Sequence, residues 1–472
     1  MKSRPGPAGA SAGAPLTDPS NDRLGWGELL AYGSGDLGMS VAWSVLGAFT
    51  TFFLTDSVGL SPAVAGLIVL ISRVFDGVSD VVVGTMVDRT RSKLGQARPW
   101  LLRMAIPTGI AYVLFFSAPD LADWGKILWV FVTYNLMSTV CYTAVNIPYA
   151  ALSPLMTRHA ASRVNLNVIR MLCAALSGVV ASAATMPLVN ALGGGPGAWR
   201  IVSGGYAVFM VAAILVCGWK TRERHAIDPS TPAGASTPPT WTAVKGVLTN
   251  KYWGILTACL MVYFLLQNIG NGVTVYYFKY IIGDENAMGL AAVAMALPML
   301  VGLAVMPFLA RRISKGALAR ASAVAGMAAP LILLLDPYSL PLLLAKSALT
   351  GLAMVPFAAV GFAMLADVCD YGRWKTGIRS EGLINSAASL GIKVGTGLGM
   401  ATLGWVLTLG HYDAEAAVQP PSALAAMVFC QIWLPVILCG VQLLLLCFYR
   451  LDRDYPAILA QLTSREQESG KP

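Results

Sequence analysis

Charge is scarce in this sequence. Only 12% of its 472 residues are Asp, Glu, Lys or Arg and 56% are hydrophobic, whereas a soluble domain is nearer a quarter charged. Histidine is rarer still: His159, His225 and His411 all fall in loops between apolar runs, which puts no imidazole deep in the fold. The eight cysteines include no CxxC pair and lie inside or at the ends of apolar segments. They read as small polarizable packing residues rather than a disulfide or zinc framework. A Gly-rich phosphate loop ending in Lys and Ser or Thr is missing, which argues against direct drive by ATP. No nucleophile–base pair or metal cluster is visible, so neither an enzyme nor a cofactor is expected. The Pro/Gly/Ala-rich N-terminal lead has no apolar h-region, and no cleaved signal peptide is expected.

What the chain does have is apolar runs of membrane-spanning length, about twenty residues each. Twelve can be counted, centred near Ala42, Val74, Ile110, Met137, Ala175 and Val208, then near Met261, Ala296, Val324, Leu352, Gly395 and Ile437. The expected fold is therefore an all-α, multi-pass membrane protein. A polar, Pro/Ser/Thr-rich linker separates two six-helix halves. The expected divisions are a disordered N-terminus over 1–26, a first bundle over 27–219, the linker over 220–251, a second bundle over 252–449 and a tail over 450–472.

The net charge of +9 does not form one patch, so nucleic acid is not an expected partner. Lys and Arg instead fill alternate loops: DRTRSKLGQARPW, TRHAASR, the linker, RRISKGALAR and DYGRWKTGIRS. By the positive-inside rule both termini and the linker face the cytoplasm, with the chain in a bacterial-type inner membrane as a monomer. Twelve spans split six and six resemble the major facilitator superfamily, in which substrate binds near the midplane between halves that rock about it. GTMVDRTR resembles that superfamily's loop signature, with its second Arg one residue early. Asp88, Arg89 and Arg91 are expected at a cytoplasmic gate, joined there by Arg379 and Glu381 from the loop after span ten.

Charges within the spans are the sharpest signal, because a charge at the bilayer centre costs at least a few kcal/mol. Lys126, Lys279 and Lys346 lie near span ends and are expected to snorkel. Arg73, Asp76, Asp80, Arg170, Lys393 and, less deeply, Asp36 cannot. Arg73, Asp76 and Asp80 are spaced three and four apart, so they share one helix face. Two acids beside one base leave a negative charge, and with Ser79 they offer hard oxygen ligands to Na+ or a site that takes up H+. The plainer reading is a charge network that fixes helix packing. Lys393, flanked by small residues, needs an anionic neighbour, and the span-two acids are the candidates across the interface.

Polar groups elsewhere suit a sugar. Pro148 frees a backbone carbonyl beside Thr143, Asn146 and Tyr149 in span four. Span seven carries Gln267, Asn268, Asn271 and the pair Tyr276/Tyr277; amides bond hydroxyls and rings stack on sugar faces. The tyrosines equally fit an interfacial aromatic belt.

In order along the chain, YGSGDLG, FFLTDSVGLS, SRVFDGVSD, DRTRSKLGQARPWLL, VNIPYAALSP, ADVCDYGRWKTGIRSEG and GIKVG resemble the glycoside–pentoside–hexuronide cation symporters. The resemblance implies a cation site of Asp76, Ser79, Asp80 and Thr143 with Arg73 alongside. It makes Lys393 the link between cation and sugar, and Arg170 a sugar contact. Ser79 replaces the Asn of the family's melibiose carriers, which weakens sodium coordination and favours a proton. Those carriers grip galactosides with two acids and a tryptophan; here Ser40, Asn146 and Ala150 stand in their places. Such a galactoside site is therefore not expected. Loss of the two acids makes the cavity more positive, which would tolerate a glucuronide. The expected substrate-binding set is Ser40, Asn146, Tyr149, Arg170, Gln267, Asn271 and Lys393. Two other readings compete with a sugar or glycoside symporter: a carrier of the same fold for a lysolipid or other amphipathic solute, and a sugar sensor. The sensor would need an output domain, for which the C-terminal tail is too short.

Overall fold

The computed structural model describes residues 24–157, 159–224, 241–376, 381–416 and 418–469. Among the described residues the fold is helical throughout, without a strand. The first half comprises α1 (Trp26–Phe52), α2 (Pro62–Arg89), α3 (Arg98–Phe115), α4 (Asp123–Asn135), α5 (Thr143–Met156), α6 (Ala160–Ala191) and α7 (Gly195–Lys220). A π-helical turn, Phe53–Ser57, extends α1, and a longer one, Leu136–Tyr142, joins α4 to α5 as one span. After the short α8 (Trp241–Leu248) come α9 (Lys251–Tyr277), α10 (Met288–Leu309), α11 (Lys315–Leu331), α12 (Leu340–Thr376) and α13 (Glu381–Leu409). The last span is α14 (Pro421–Gln431) followed by α15 (Trp433–Cys447), and α16 (Leu451–Ser469) forms the tail.

All twelve expected span centres fall in helical segments. Ten of the described helices are long and apolar enough to cross a membrane; α2 and α3 are not among them. The expected linker differs in one respect: its last stretch is the helix α8, while residues 225–240 lie outside the described residues, as do residues 1–23 of the N-terminal lead. The tail is an ordered helix held to the second half. Asp452 accepts from the Gly316 amide at 2.5 Å, and Tyr455 donates to Asp370 at 2.7 Å.

The bundle has a terminal face, which carries the start of α1 and the helix α16, and a distal face opposite. The halves meet along α2–α13, α1–α9 and α6–α10. Small residues make the first of these close, as in membrane bundles generally. A Cβ on Gly66 would stand 2.7 Å from the Ala401 Cα, and one on Gly404 would strike the Pro62 carbonyl. That approach, near the distal ends of α2 and α13, brings Lys393 onto the charged face of α2. Large apolar side chains such as Val208, Val301 and Phe308 stay 65–71% exposed on the outside, as a lipid-facing surface requires.

Candidate cation and substrate site

Helical spacing puts Arg73, Asp76 and Asp80 on one side of α2, and each finds a partner. Arg73 Nη1 donates to Asp76 Oδ2 at 2.7 Å, and Nη2 donates to the Tyr134 hydroxyl at 2.9 Å. Its guanidinium also lies 4.8 Å from the centroid of Trp43, which stacks on Tyr142 at 4.4 Å. The other carboxylate oxygen of Asp76 accepts from Thr139 at 2.5 Å, and Ser138 lies 3.3 Å from both oxygens. These two hydroxyls come from the π-helical turn. Its extra residue per turn re-aims side chains, which is why such turns recur at functional sites. A charge this deep is tolerable because Asp76 is paired with Arg73 and both its oxygens accept hydrogen bonds.

Asp80 is the contrasting acid. Its side chain is 39% exposed against 6% for Asp76. Lys393 reaches it from α13: the ammonium pairs with the Asp80 carboxylate and donates to the Asp76 carbonyl at 2.8 Å. Ser79 donates to that same carbonyl at 3.1 Å and lies 3.5 Å from the Thr143 hydroxyl. Asp76, Ser79, Asp80, Thr143, Arg73 and Lys393 thus form one cluster, with the Lys393 ammonium where a small cation would find a carboxylate and a carbonyl. The negative surplus expected from span two by itself is balanced here by Lys393.

Between them, α1 and α6 build a second polar group. Arg170 Nε donates to Asp36 Oδ1 at 3.3 Å, and Ser40 donates to Oδ2 at 3.3 Å. Asp36 is buried, while the Arg170 side chain is 40% exposed. Tyr149 is fully buried, stacked on Tyr32 at 4.6 Å and donating to its carbonyl at 3.0 Å. It therefore backs Arg170, whose guanidinium lies 5.8 Å from its ring centroid, and is closed to a substrate. Asn146 and Gln267 are half-buried and Asn271 is exposed; the structure places none of these amides in the charged clusters. Arg89 and Arg91 are exposed at and just beyond the end of α2. Arg379 and the side chains of Asp88 and Glu381 lie outside the described residues. The loop behind them is fastened by Glu223, whose carboxylate accepts from the amides of Gln96, Ala97 and Arg98 at 2.7–3.0 Å.

Sequence reasoning passed over the cluster that seals the distal face. Asp56, in the turn after α1, accepts from Lys279 at 2.7 Å, Tyr412 at 2.7 Å and Tyr280 at 3.1 Å, all from the second half. Thr55 and Tyr276 are 2.8 Å apart beside it. Lys279 does not snorkel: a buried carboxylate from the other half holds it. Lys346 is buried as well, at 9% exposure, six residues inside α12. Tyr276 and Tyr277 are fully buried and so form no interfacial belt. Only the composition of FFLTD could have marked this place, as an acid closing an aromatic run.

Comparison with known proteins agrees with this architecture. The sequence model of a family described as MFS/sugar transport protein matches residues 31–453. The chain is 31% identical to an isoprimeverose transporter of Lactiplantibacillus pentosus, over 97% of this chain and 96% of that one. It is 30% identical to a putative glycoside/cation symporter, YagG, of Escherichia coli K12, over 94% and 96%. It is 27% identical to a glucuronide carrier protein homolog of the same organism, over 95% and 97%. Among solved structures, the nucleoside transporter NupG superposes with a TM-score of 0.64 at 13% identity, over 89% of this chain and 99% of that one, which shows the fold. With α-helical spans throughout, ion pairs inside them and relatives matched end to end, the chain belongs to the glycoside–pentoside–hexuronide cation symporters of the major facilitator superfamily.

Proposed function

We propose that this protein is a secondary transporter that carries a sugar or glycoside together with a monovalent cation, H+ or Na+, and that the cation and Lys393 compete for Asp80. The observation that carries this reading is the Lys393 ammonium on Asp80, an ion pair made between the two halves at an acid whose side chain is 39% exposed. A cation that takes the carboxylate, or a proton that neutralises it, releases Lys393 and with it one tie between α2 and α13. Cation occupancy thereby changes how the halves are held, as coupled transport needs. The relatives named as an isoprimeverose transporter and a glycoside/cation symporter support the same cargo.

The distal cluster around Asp56 supports an arrangement closed on that side. The Asp80 and Arg170 side chains remain 39–40% exposed, and with the distal side closed the access we propose is from the terminal face. By the loop charges that face is cytoplasmic, which makes the state inward-facing. Transport then requires the Asp56 cluster to part and the terminal ends to close, about a site near the midplane. Uptake of a labelled sugar panel into proteoliposomes, under separately imposed sodium and proton gradients, tests the proposal. Accumulation should follow one gradient and collapse with it. Uptake of no sugar under either gradient would count against it.

A further inference from the structure

We infer that the second half holds a small monovalent anion, of the class of chloride, at Lys346 and Thr350 of α12. Lys346 is 9% exposed and stands about 9 Å along the helix axis from its distal start at Leu340. A lysine at that depth can reach the interface by extending its stem, but this one is enclosed instead. Among the described residues its amino group has neither an ion pair nor a hydrogen bond. A charge so placed is costly unless something neutralises it.

Helical spacing puts Lys346, Thr350, Ala353 and Phe357 on one side of α12. The Ala353 carbonyl accepts from Ser322 of α11 at 2.5 Å, and the Phe357 ring lies 5.3 Å from that of Tyr263 in α9. That side therefore looks into the second half, between α9 and α11. Among the described residues, no helix packed there brings a carboxylate to it. Lys251 stands at the terminal start of α9, and Lys315 and Arg320 near that of α11; α10, α14 and α15 carry no charge. Asp336, in the turn before α12, is exposed and accepts from the Tyr338 amide at 2.9 Å. Asp367 lies about six turns further along α12 and is held by Lys315 at 2.7 Å.

The hydroxyl of Thr350, one turn on from Lys346, is also buried without a partner. Thr108, Thr185 and Thr274 each close back onto the carbonyl four residues earlier at 2.6 Å; Thr350 does not. An uncharged amine would accept from this hydroxyl, and that bond is not made. Two donors one turn apart thus share one interior side and both lack an acceptor. An anion answers both, neutralising the ammonium and accepting from the hydroxyl. One lysine balances one negative charge, which selects a monovalent ion over sulfate or phosphate.

Thermal unfolding of the full-length purified protein in detergent tests this, with sodium chloride exchanged for sodium gluconate at constant ionic strength. The midpoint should rise saturably with chloride, by about 2 °C or more, and bromide should replace chloride where sulfate does not. Lys346→Met should abolish the dependence. Thr350→Val should keep it but raise the half-saturating chloride concentration about tenfold. If Lys346→Met does not fold, anomalous scattering from wild-type crystals soaked in bromide carries the test, with a peak expected at the Lys346 amino group. A wild-type midpoint indifferent to chloride, an equal dependence in folded Lys346→Met, a Thr350→Val titration identical to wild type, or bromide-soaked crystals without that peak would each overturn the inference. None of these readouts needs transport, so they stand or fall apart from the sugar and cation assignments.

Discussion

Replacing Asp56 with Asn should tip the resting equilibrium toward a state open on the distal face. The carboxylate sits at the end of α1, and Lys279, Tyr280 and Tyr412 all belong to the second half. Each of those bonds is made only while the distal ends are together. Breaking a fully buried ion pair costs about 3–5 kcal/mol. Lys279 is 33% exposed and Asp56 only 7%, so solvent screening brings the loss down to about 2 kcal/mol. Asn keeps one acceptor for a tyrosine hydroxyl, which holds the estimate there. At about 1.4 kcal/mol per tenfold, the closed state would lose roughly 30-fold in relative population. Spin labels on Leu121 and Tyr338, exposed in distal loops of opposite halves, would report it, with the exposed Cys447 replaced by Ser. A longer inter-label distance should grow in at the expense of the short one. An unchanged distribution in a folded Asp56→Asn protein would refute the assignment of this cluster as the distal latch.

Other consequences are as direct. Thr139→Val removes the 2.5 Å hydroxyl donor on Asp76. A bond to a charged group contributes about 1.5–3 kcal/mol, so the cation concentration for half-maximal uptake should rise by about tenfold or more. Glu223→Ala leaves three amides at the start of α3 without their acceptor; thermal unfolding in detergent should show a loss of about 2 kcal/mol, with sugar binding intact. Gly404→Leu drives a side chain into the Pro62 carbonyl and should separate α2 from α13. Counterflow and gradient-driven uptake should then fall together, since the two halves no longer pack closely enough to alternate.

The spans were legible because a membrane demands long apolar helices, and charge-bearing loops punctuate them. The face shared by Arg73, Asp76 and Asp80 was legible for an equally simple reason, helical spacing. The hydroxyl partners of Asp76 were not. Ser138 and Thr139 read as ordinary small polar residues until a π-helical turn aims them at Asp76, and periodicity at 3.6 residues per turn hides that shift. Asp36 looked shallow and solitary, yet α6 brings Arg170 to it and changes the charge balance of the site. Lys279 near a span end invited a snorkelling assignment, since only the packing of the two halves puts Asp56 beside it.

Coupling through Asp80 is tested most directly by comparing two modes of transport in Asp80→Asn proteoliposomes. Counterflow exchange of sugar needs binding and alternation but no gradient, whereas accumulation needs the cation. Asp80→Asn should retain counterflow and lose accumulation under both the sodium and the proton gradient. Full concentrative uptake by Asp80→Asn under either gradient would contradict the assignment of Asp80 as the coupling acid.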